Sequence, residues 1–381
     1  MLQPAFDVEI KEILTSLPQQ VVDWGFNAIG ANKALDKRYT GKGVVVGVAD
    51  TGIDYKHPDL MPNVKNYKSF IDDTDGFDSG FHGTHVAGII AGCNNGVGIV
   101  GGASDAQIVS AKIFGLDNRF TSTAEFKALY WLAEQGVDVI NMSYGGLIPI
   151  DIPEAAVFAR EYEGFLQELV DAGITLVAAS GNSGNARDRF DRVLHPARFD
   201  CVIAVGAVGQ TLQRADFSSV GDGVDFGMPG VDIYSCYPHN RWARASGTSM
   251  ASPYFASCVA VLQQWSMEVL QRKLTPLEVR QYLKSFSVDL GIEGVDVEHG
   301  YGIVNIGKVG MRLLDETHVI LDAPPIIFNN RTLAPLRFVI ELSGGIFESF
   351  DARTRIIKFV TKDNRRVIMQ INNRDVLIQK L

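Results

Sequence analysis

Short apolar runs alternate with helical patterns along the first 310 or so residues. GVVVGVAD (43–50), AQIVSAKIF (106–114), VDVINMS (137–143), ITLVAAS (174–180) and CVIAVGAV (201–208) are almost continuously apolar and rich in Val and Ile. Strands covered on both faces, as in parallel sheets, have this character. Between them the spacing predicts helices over 83–92, 122–135, 154–172 and 248–267. A further helix runs from Leu277 to Phe286, opened by Thr275-Pro276, with Pro in its first turn. The alternation predicts a three-layer α/β domain on a mostly parallel central sheet.

The pattern changes after about residue 315. A Pro-Pro break and an Asn-Asn pair precede one short helix, Leu336–Leu342, and then short strands alternate with DAR, KDNR and NNRD turns. This predicts a small β-rich α+β module at 318–381. At the other end Phe6, Ile10, Ile13, Leu14 and Leu17 follow helical spacing, which predicts an amphipathic helix in an N-terminal extension, residues 1–18. The α/β domain then spans 19–315.

Composition narrows the class. An apolar fraction of 46% with 38 Gly suits a globular protein with many tight turns. A net charge of −9 disfavours a nucleic-acid partner. No apolar run approaches the roughly 18 residues that span a bilayer. Asp7, Glu9 and Glu12 interrupt the N-terminal apolar positions, so the segment does not read as a secretory signal. The expected location is cytoplasmic; removal of a leader would instead place the protein outside the cell or at its surface. The four Cys (Cys93, Cys201, Cys236, Cys258) form no CxxC pair or zinc cluster and are expected as free, mostly buried thiols.

Four polar residues stand in small-residue surroundings where a scaffold has no need of them. Asp50 ends the strand GVVVGVAD, and ligands of open α/β sheets bind beyond such strand ends. His82 opens HGTHVAG, Asn182 lies in AASGNSG just after a strand, and Ser249 opens a helix in SGTSMASP. Taken singly, each has an ordinary role as a cap or turn residue. Together they supply a chemistry. A Ser hydroxyl needs a base when it attacks a carbonyl, and a His can take that proton and return it to a leaving amine. A carboxylate fixes the imidazole tautomer, and preorganised donors such as the Asn182 amide and the Ser249 N–H can hold the developing oxyanion.

ADTGID, HGTHVAG and SGTSMASP resemble the active-site motifs of subtilisin-like serine proteases, in the order Asp, His, Ser, and AASGNSG resembles that family's oxyanion segment. VIAVGAV, RADFSSVG, MPGVDIYS and HGYGIVN extend the similarity over about residues 19–310. The resemblance implies a subtilisin-like fold and a serine endopeptidase. In it Asp50 orients His82, His82 is acid and base, Ser249 is the nucleophile and Asn182 is an oxyanion donor. NMSYGG resembles the segment that pairs with an extended substrate, here Ser143, Tyr144, Gly145 and Gly146, and AKIFGLDN the opposing edge, with Phe114 and Gly115. Apolar lining that includes Tyr144 implies a preference for large apolar residues before the scissile bond. Tyr254 and Ser257 stand where the family usually has His and Gly, which affects packing more than chemistry. The stretch 147–165 is longer than the usual family connection.

CNNGVGIV (93–100) offers the clustered amide and backbone oxygens that Ca²⁺ prefers. In the resemblance the family's calcium loop falls here. Gln20, Asp59 and Asn95 would then bind through side chains, and Cys93, Val97 and Ile99 through carbonyls. The short leader is similar to that of intracellular subtilisins, whose extension can lie across the active site. Leu2-Gln3-Pro4-Ala5-Phe6 is one candidate for such a block, and a surface helix is the alternative. The tail, LDAPPIIFNNRTLAPLRFVIELSGG with FESFDARTRIIKFV, resembles the small domain named after the N-terminal region of copper amine oxidases. That domain is commonly appended to secreted or surface proteins. Its only His is His318, which gives no support for copper, and the module is expected to dock partners or add stability.

Overall fold

The computed structural model describes residues 8–15, 19–71, 75–115, 121–184 and 193–310, together with the strands of a C-terminal unit. The chain divides into two compact units, Met1–Val309 and Gly310–Leu381.

In the first unit the chain runs through β1 (Glu9–Leu14), α1 (Trp24–Ala28), α2 (Ala31–Asp36), β2 (Val45–Asp50) and β3 (Val64–Ser69). It continues through α3 (His82–Ala91), β4 (Gln107–Lys112), α4 (Ser122–Glu134), β5 (Val139–Met142), α5 (Pro153–Asp171), β6 (Thr175–Ala179) and β7 (Ile203–Val208). Last come β8 (Phe226–Pro229), β9 (Ile233–Tyr237), β10 (Arg241–Ser246), α6 (Thr248–Val269) and α7 (Pro276–Phe286). Seven strands form one parallel sheet in the order β3-β4-β2-β5-β6-β7-β8.

The sheet is covered on both faces, which is why its central strands are apolar throughout. Val45, Val109, Ile140 and Leu176 share one core with Leu129 and Leu132 of α4 and Tyr162, Leu166 and Leu169 of α5. On the other side α3 and α6 pack together, and every residue of α3 is buried. A glycine lets α3 also lie close against β9. A Cβ on Gly88 of α3 would lie 2.3 Å from Ser235 Oγ and 2.9 Å from the Cys236 N. The α7 start has the expected form, a Thr275/Glu278 capping box with Pro276 in the first turn. All four Cys are free thiols, and Cys93, Cys236 and Cys258 are buried.

The N-terminal extension is not helical over the residues described. Glu9–Leu14 is a strand, added antiparallel to the free edge of the β9–β10 hairpin with a bulge between Ile10 and Glu12. The helical spacing of its apolar residues misled because, among the described residues, they do not pack into a core: Ile10 is 37% and Ile13 43% exposed, and Leu14 is half-buried. An open sheet edge offers a backbone ladder instead. Lys11 adds an ion pair to Asp232 (2.7 Å), and Glu12 accepts from the Tyr234 hydroxyl (3.0 Å). Residues 2–6 lie outside the described residues.

The substituted positions of α6 act in packing. Tyr254 Oη donates to the buried Asp23 (2.9 Å), and Ser257 Oγ donates to the Tyr254 carbonyl (2.7 Å). The stretch 147–165 forms a loop with Leu147 and Ile150 exposed and then enters α5.

The second unit is an antiparallel meander, Ile346–Asp351, Ile356–Val360, Arg365–Gln370 and Val376–Lys380, with a separate pair Ile327–Phe328 and Arg331–Thr332. The helix expected at Leu336–Leu342 lies outside the described residues. Among the described residues no helix is long and apolar enough to cross a membrane.

Candidate active site

Parallel strands all end on one edge of a sheet, and here three neighbours, β2, β5 and β6, deliver Asp50, Ser143 and Asn182 to that edge. Helices α3 and α6 start beside them, with His82 and Ser249 in their first turns.

Asp50 is fully buried and His82 nearly so. His82 Nδ1 lies 2.8 Å from Asp50 Oδ1 and 3.0 Å from Oδ2. A carboxylate only accepts, so Nδ1 carries the proton and Nε2 is left as the basic nitrogen. Asp50 also accepts from the Thr51 N–H (2.7 Å).

A second carboxylate, Asp78, braces this pair. It accepts from Thr51 Oγ1 (2.8 Å), Gly80 N (3.0 Å), Thr84 N (2.8 Å) and Thr84 Oγ1 (2.6 Å). Thr51 Oγ1 in turn accepts from Gly83 N (2.9 Å). Asp78 thus ties the residue after Asp50 to the turn that carries His82. Burial pushes its carboxyl above the ordinary range, against the pull of these donors. Reading the sequence missed Asp78; the available signal was an acid four residues before the His, in a Gly-rich loop.

Ser249 Oγ donates to the Ser143 carbonyl (2.8 Å), and Ser143 Oγ donates to the Ser249 carbonyl (2.9 Å). Asn182 Oδ1 accepts from both the Thr248 N–H (2.9 Å) and Thr248 Oγ1 (2.8 Å). With its oxygen held, the amide must aim its NH₂ the other way. The Asn182 Nδ2 lies 3.4 Å from the place a Cβ on Gly247 would take, next to the start of α6. Thr248 was also missed, although it stands in the same short motif.

The expected substrate segment leads away from this point. Gly145 packs on Leu194, whose Cβ lies 2.8 Å from where a Gly145 Cβ would sit. Gly146 exchanges two backbone hydrogen bonds with His195, both 2.9 Å. Tyr144 is buried and meets Phe114 edge-on at 5.4 Å between centroids, while Gly115 is half-buried beside it. Burial pushes the His195 imidazole down to about 4.

The residues expected to bind calcium also converge. Gln20 Nε2 donates to the Cys93 carbonyl (2.6 Å) and the Ile99 carbonyl (3.2 Å). Asn95 Nδ2 donates to Asp59 Oδ1 (3.2 Å), and Asn95 Oδ1 accepts from Val97 N (3.1 Å). Asp59 Oδ2 accepts from Ile99 N (3.0 Å) and Trp242 Nε1 (2.7 Å). The amide ends of Gln20 and Asn95 are interchangeable in shape. With both turned over, at the loss of the bonds that their oxygens accept from Gly96 N (3.3 Å) and Val97 N (3.1 Å), two amide oxygens would join the Cys93 and Ile99 carbonyls and the Asp59 carboxylate, a donor set suited to a hard cation.

An α/β scaffold that gathers an Asp–His pair and a Ser at a helix start on one sheet edge is of the serine hydrolase class. Comparison with known proteins narrows this. The profile of the Subtilase family matches residues 41–302, and that of the Copper amine oxidase N-terminal domain matches residues 313–380. Subtilisin BL of Lederbergia lenta is 36% identical over 291 residues, covering 75% of this chain and 97% of that protein. The Major intracellular serine protease of Bacillus subtilis (strain 168) is 32% identical over 286 residues, 73% of this chain and 86% of that one. An Intracellular serine protease of Paenibacillus polymyxa is 36% identical over 256 residues, 66% and 76% of the two chains. The chain belongs to the subtilase family: it is a subtilisin-like serine endopeptidase, acting on protein or peptide substrates, with a C-terminal domain of the copper amine oxidase N-terminal type.

Proposed function

We propose that the enzyme hydrolyses peptide bonds through an acyl-enzyme on Ser249, with His82 as base and acid, Asp50 as its orienting carboxylate and Asn182 in the oxyanion hole. The observation that carries this is the bond between His82 Nδ1 and the buried Asp50, at 2.8 Å, beside a helix that starts at the nucleophile. Ser249 Oγ turns from the Ser143 carbonyl and attacks the substrate carbonyl carbon while His82 Nε2 takes its proton. The carbonyl oxygen becomes an oxyanion, held by the Asn182 NH₂ and the Ser249 N–H at a positive helix end. As the intermediate collapses the C–N bond breaks, and His82 returns the proton to the departing amine. Water then repeats the sequence on the ester, and Ser249 is restored.

An extended substrate pairs its backbone with Ser143–Gly146 and faces Phe114 and Gly115, with a preference for large apolar side chains before the scissile bond. Calcium, held by Gln20, Asp59 and Asn95 with the carbonyls of Cys93, Val97 and Ile99, would act structurally, pinning the chain at Gln20 to the loop after α3. The relatives called intracellular support a cytoplasmic location, which cell fractionation checks. The module at 318–381 is read as a partner-docking unit. Its removal should lower activity on the partner protein and leave small peptides unaffected.

The test is labelling by a serine-directed fluorophosphonate, with and without calcium, on the intact chain and on Ser249→Ala. Labelling that requires Ser249 is expected, and folded, calcium-loaded protein that stays unlabelled would refute the assignment.

A second reading concerns the N-terminal segment as a gate. The β1 register sets Glu9 opposite Ser246, and Val8 Cγ2 and Asn182 Nδ2 each lie 3.4 Å from the place of a Gly247 Cβ. The extension therefore approaches the oxyanion side of the cleft. Deletion of residues 1–18 is expected to speed labelling, and an unaltered rate would leave β1 a purely structural strand.

A further inference from the structure

The substrate segment has one large side chain. Ser143 is locked to Ser249, and Gly145 and Gly146 have no side chain, so Tyr144 alone anchors the segment in the core. Its hydroxyl does not end in an apolar pocket. It donates to Glu125 Oε1 (2.8 Å), a carboxyl in the first turn of α4 with no exposed surface. Tyr162 of α5 donates to the same oxygen, and Oε2 has no partner among the described residues. The rest of the shell is aromatic. Tyr144 meets Phe114, and Tyr162 meets Phe126 at 5.2 Å, Phe158 at 5.9 Å and Phe199 at 5.3 Å.

Packing alone does not explain a carboxyl there. Burial of a carboxylate with two neutral donors and, among the described residues, no cation destabilises the fold. Burial pushes Glu125 up to about 7, opposed by the two phenols. Among the described residues Tyr144 and Tyr162 are the titratable groups that face it; Asp50 acts on Tyr144, and Cys201 on Tyr162. The group thus changes charge near neutrality while holding the wall of the cleft.

We propose that Glu125 is a positioning residue for the cleft, whose carboxylate fixes Tyr144 against Tyr162 of α5 and thereby sets the affinity for extended peptides. This rests on the reading of Ser143–Gly146 as the segment that pairs with substrate. The ionised carboxylate makes charge-assisted hydrogen bonds to both phenols, about twice as strong as those of the neutral acid. Protonation loosens Tyr144 and the backbone that it carries. The effect falls on substrates long enough to pair with that backbone, and on their KM more than on kcat.

Glu125→Gln keeps an oxygen for both phenols and removes the charge. KM and kcat are measured from pH 5.5 to 8.5 for a peptide with four residues before the scissile bond and for a one-residue ester. The catalytic groups act on both substrates alike, so their contribution cancels in the KM ratio. In the intact enzyme the ratio of long-substrate to short-substrate KM is expected to rise about fivefold as pH falls from 8 to 6. In Glu125→Gln it stays at the low-pH value throughout, with kcat unaltered. Tyr162→Phe, which deletes one donor, is expected to move the midpoint to higher pH, and this variant answers the question should Glu125→Gln fail to fold. A ratio with the same pH profile in the intact enzyme and the variants, or an effect on kcat instead of KM, overturns the proposal. Fluorophosphonate labelling is run alongside. Unlabelled intact protein would overturn the Ser249 reading and this one with it. Normal labelling with an unaltered ratio overturns the role of Glu125 alone.

Discussion

Gly83 follows His82 in the first turn of α3, and a methyl group there should disable the enzyme without touching any reacting atom. A Cβ built on Gly83 lies 2.1 Å from the Gly52 carbonyl oxygen and 3.1 Å from Asp50 Cβ, where ordinary contact begins near 3.4 Å. The Gly52 carbonyl is backbone and a Cβ moves only with its own backbone, so no rotamer relieves the overlap. The start of α3 must back away from the end of β2 by about 1 Å. That is the direction of the His82–Asp50 bond at 2.8 Å and of the Gly83 N–Thr51 Oγ1 bond at 2.9 Å. A misplacement of about 1 Å in a catalytic constellation costs on the order of 100-fold in rate, or about 2.7 kcal/mol in the barrier. Overpacking adds about 1–3 kcal/mol of lost stability. The assay is kcat/KM on a peptide together with the fluorophosphonate labelling rate, with thermal unfolding to establish that Gly83→Ala is folded. Gly164→Ala serves as the control. Gly164 lies within α5, and a Cβ there meets nothing within 4 Å, so the helix should gain about 1 kcal/mol with activity unaltered. A folded Gly83→Ala with kcat/KM within about twofold of the parent would refute the claim that the Asp50–His82 spacing governs catalysis.

Other perturbations carry definite signs. Burial raises the Glu125 carboxyl from 4.5 to about 7, so the native state holds a proton that the unfolded chain releases between those values. Stability therefore falls as pH rises from about 4.5 to about 7, by about 3 kcal/mol at 1.36 kcal/mol per pH unit. Glu125→Gln should remove that slope, so its melting temperature gains on the parent between pH 5 and pH 8; parallel curves would count against the raised carboxyl. Chelation of calcium, or Asp59→Asn, is expected to lower the melting temperature, and indifference to chelator would remove calcium from Gln20, Asp59 and the 93–99 loop. Thr248→Val deletes the hydroxyl that holds Asn182 Oδ1 at 2.8 Å. It is expected to reduce kcat about tenfold with KM little altered, by loosening the oxyanion donor; an unaltered kcat would show that the backbone bond suffices.

The elements most legible in the sequence were those whose environment is uniform. A strand buried on both faces has one requirement, apolar and β-branched, and GVVVGVAD or ITLVAAS satisfies it over its full length. The capping box at Thr275 was equally local. The N-terminal segment was misread because its fate depends on a distant partner. Glu9–Leu14 pairs with β10, more than 200 residues away, and its own apolar residues do not pack into a core. Local periodicity cannot express an edge strand recruited by a hairpin elsewhere. The arrangement of Asp50, Ser143 and Asn182 was legible only in part. Each could be placed at a strand end, but the order β2-β5-β6 that makes them neighbours is a property of the whole sheet.

The carboxyls that no sequence motif singles out divide by the kind of signal that they leave. Asp78 sits in a Gly-rich loop, where acids are ordinary, and only its four donors distinguish it. Glu125 left a sharper trace. Leu129 and Leu132 follow it at four and seven residues and are both buried, so helical spacing puts Glu125 on the apolar stripe of α4. A charged residue on that stripe needs a polar partner within the core, and the chain supplied two tyrosines, one beside Ser143 and one on α5. The same residues on the solvent face of α4 would carry no such demand. The position of Glu125 on the helix, more than its chemical type, is therefore what connects it to the cleft.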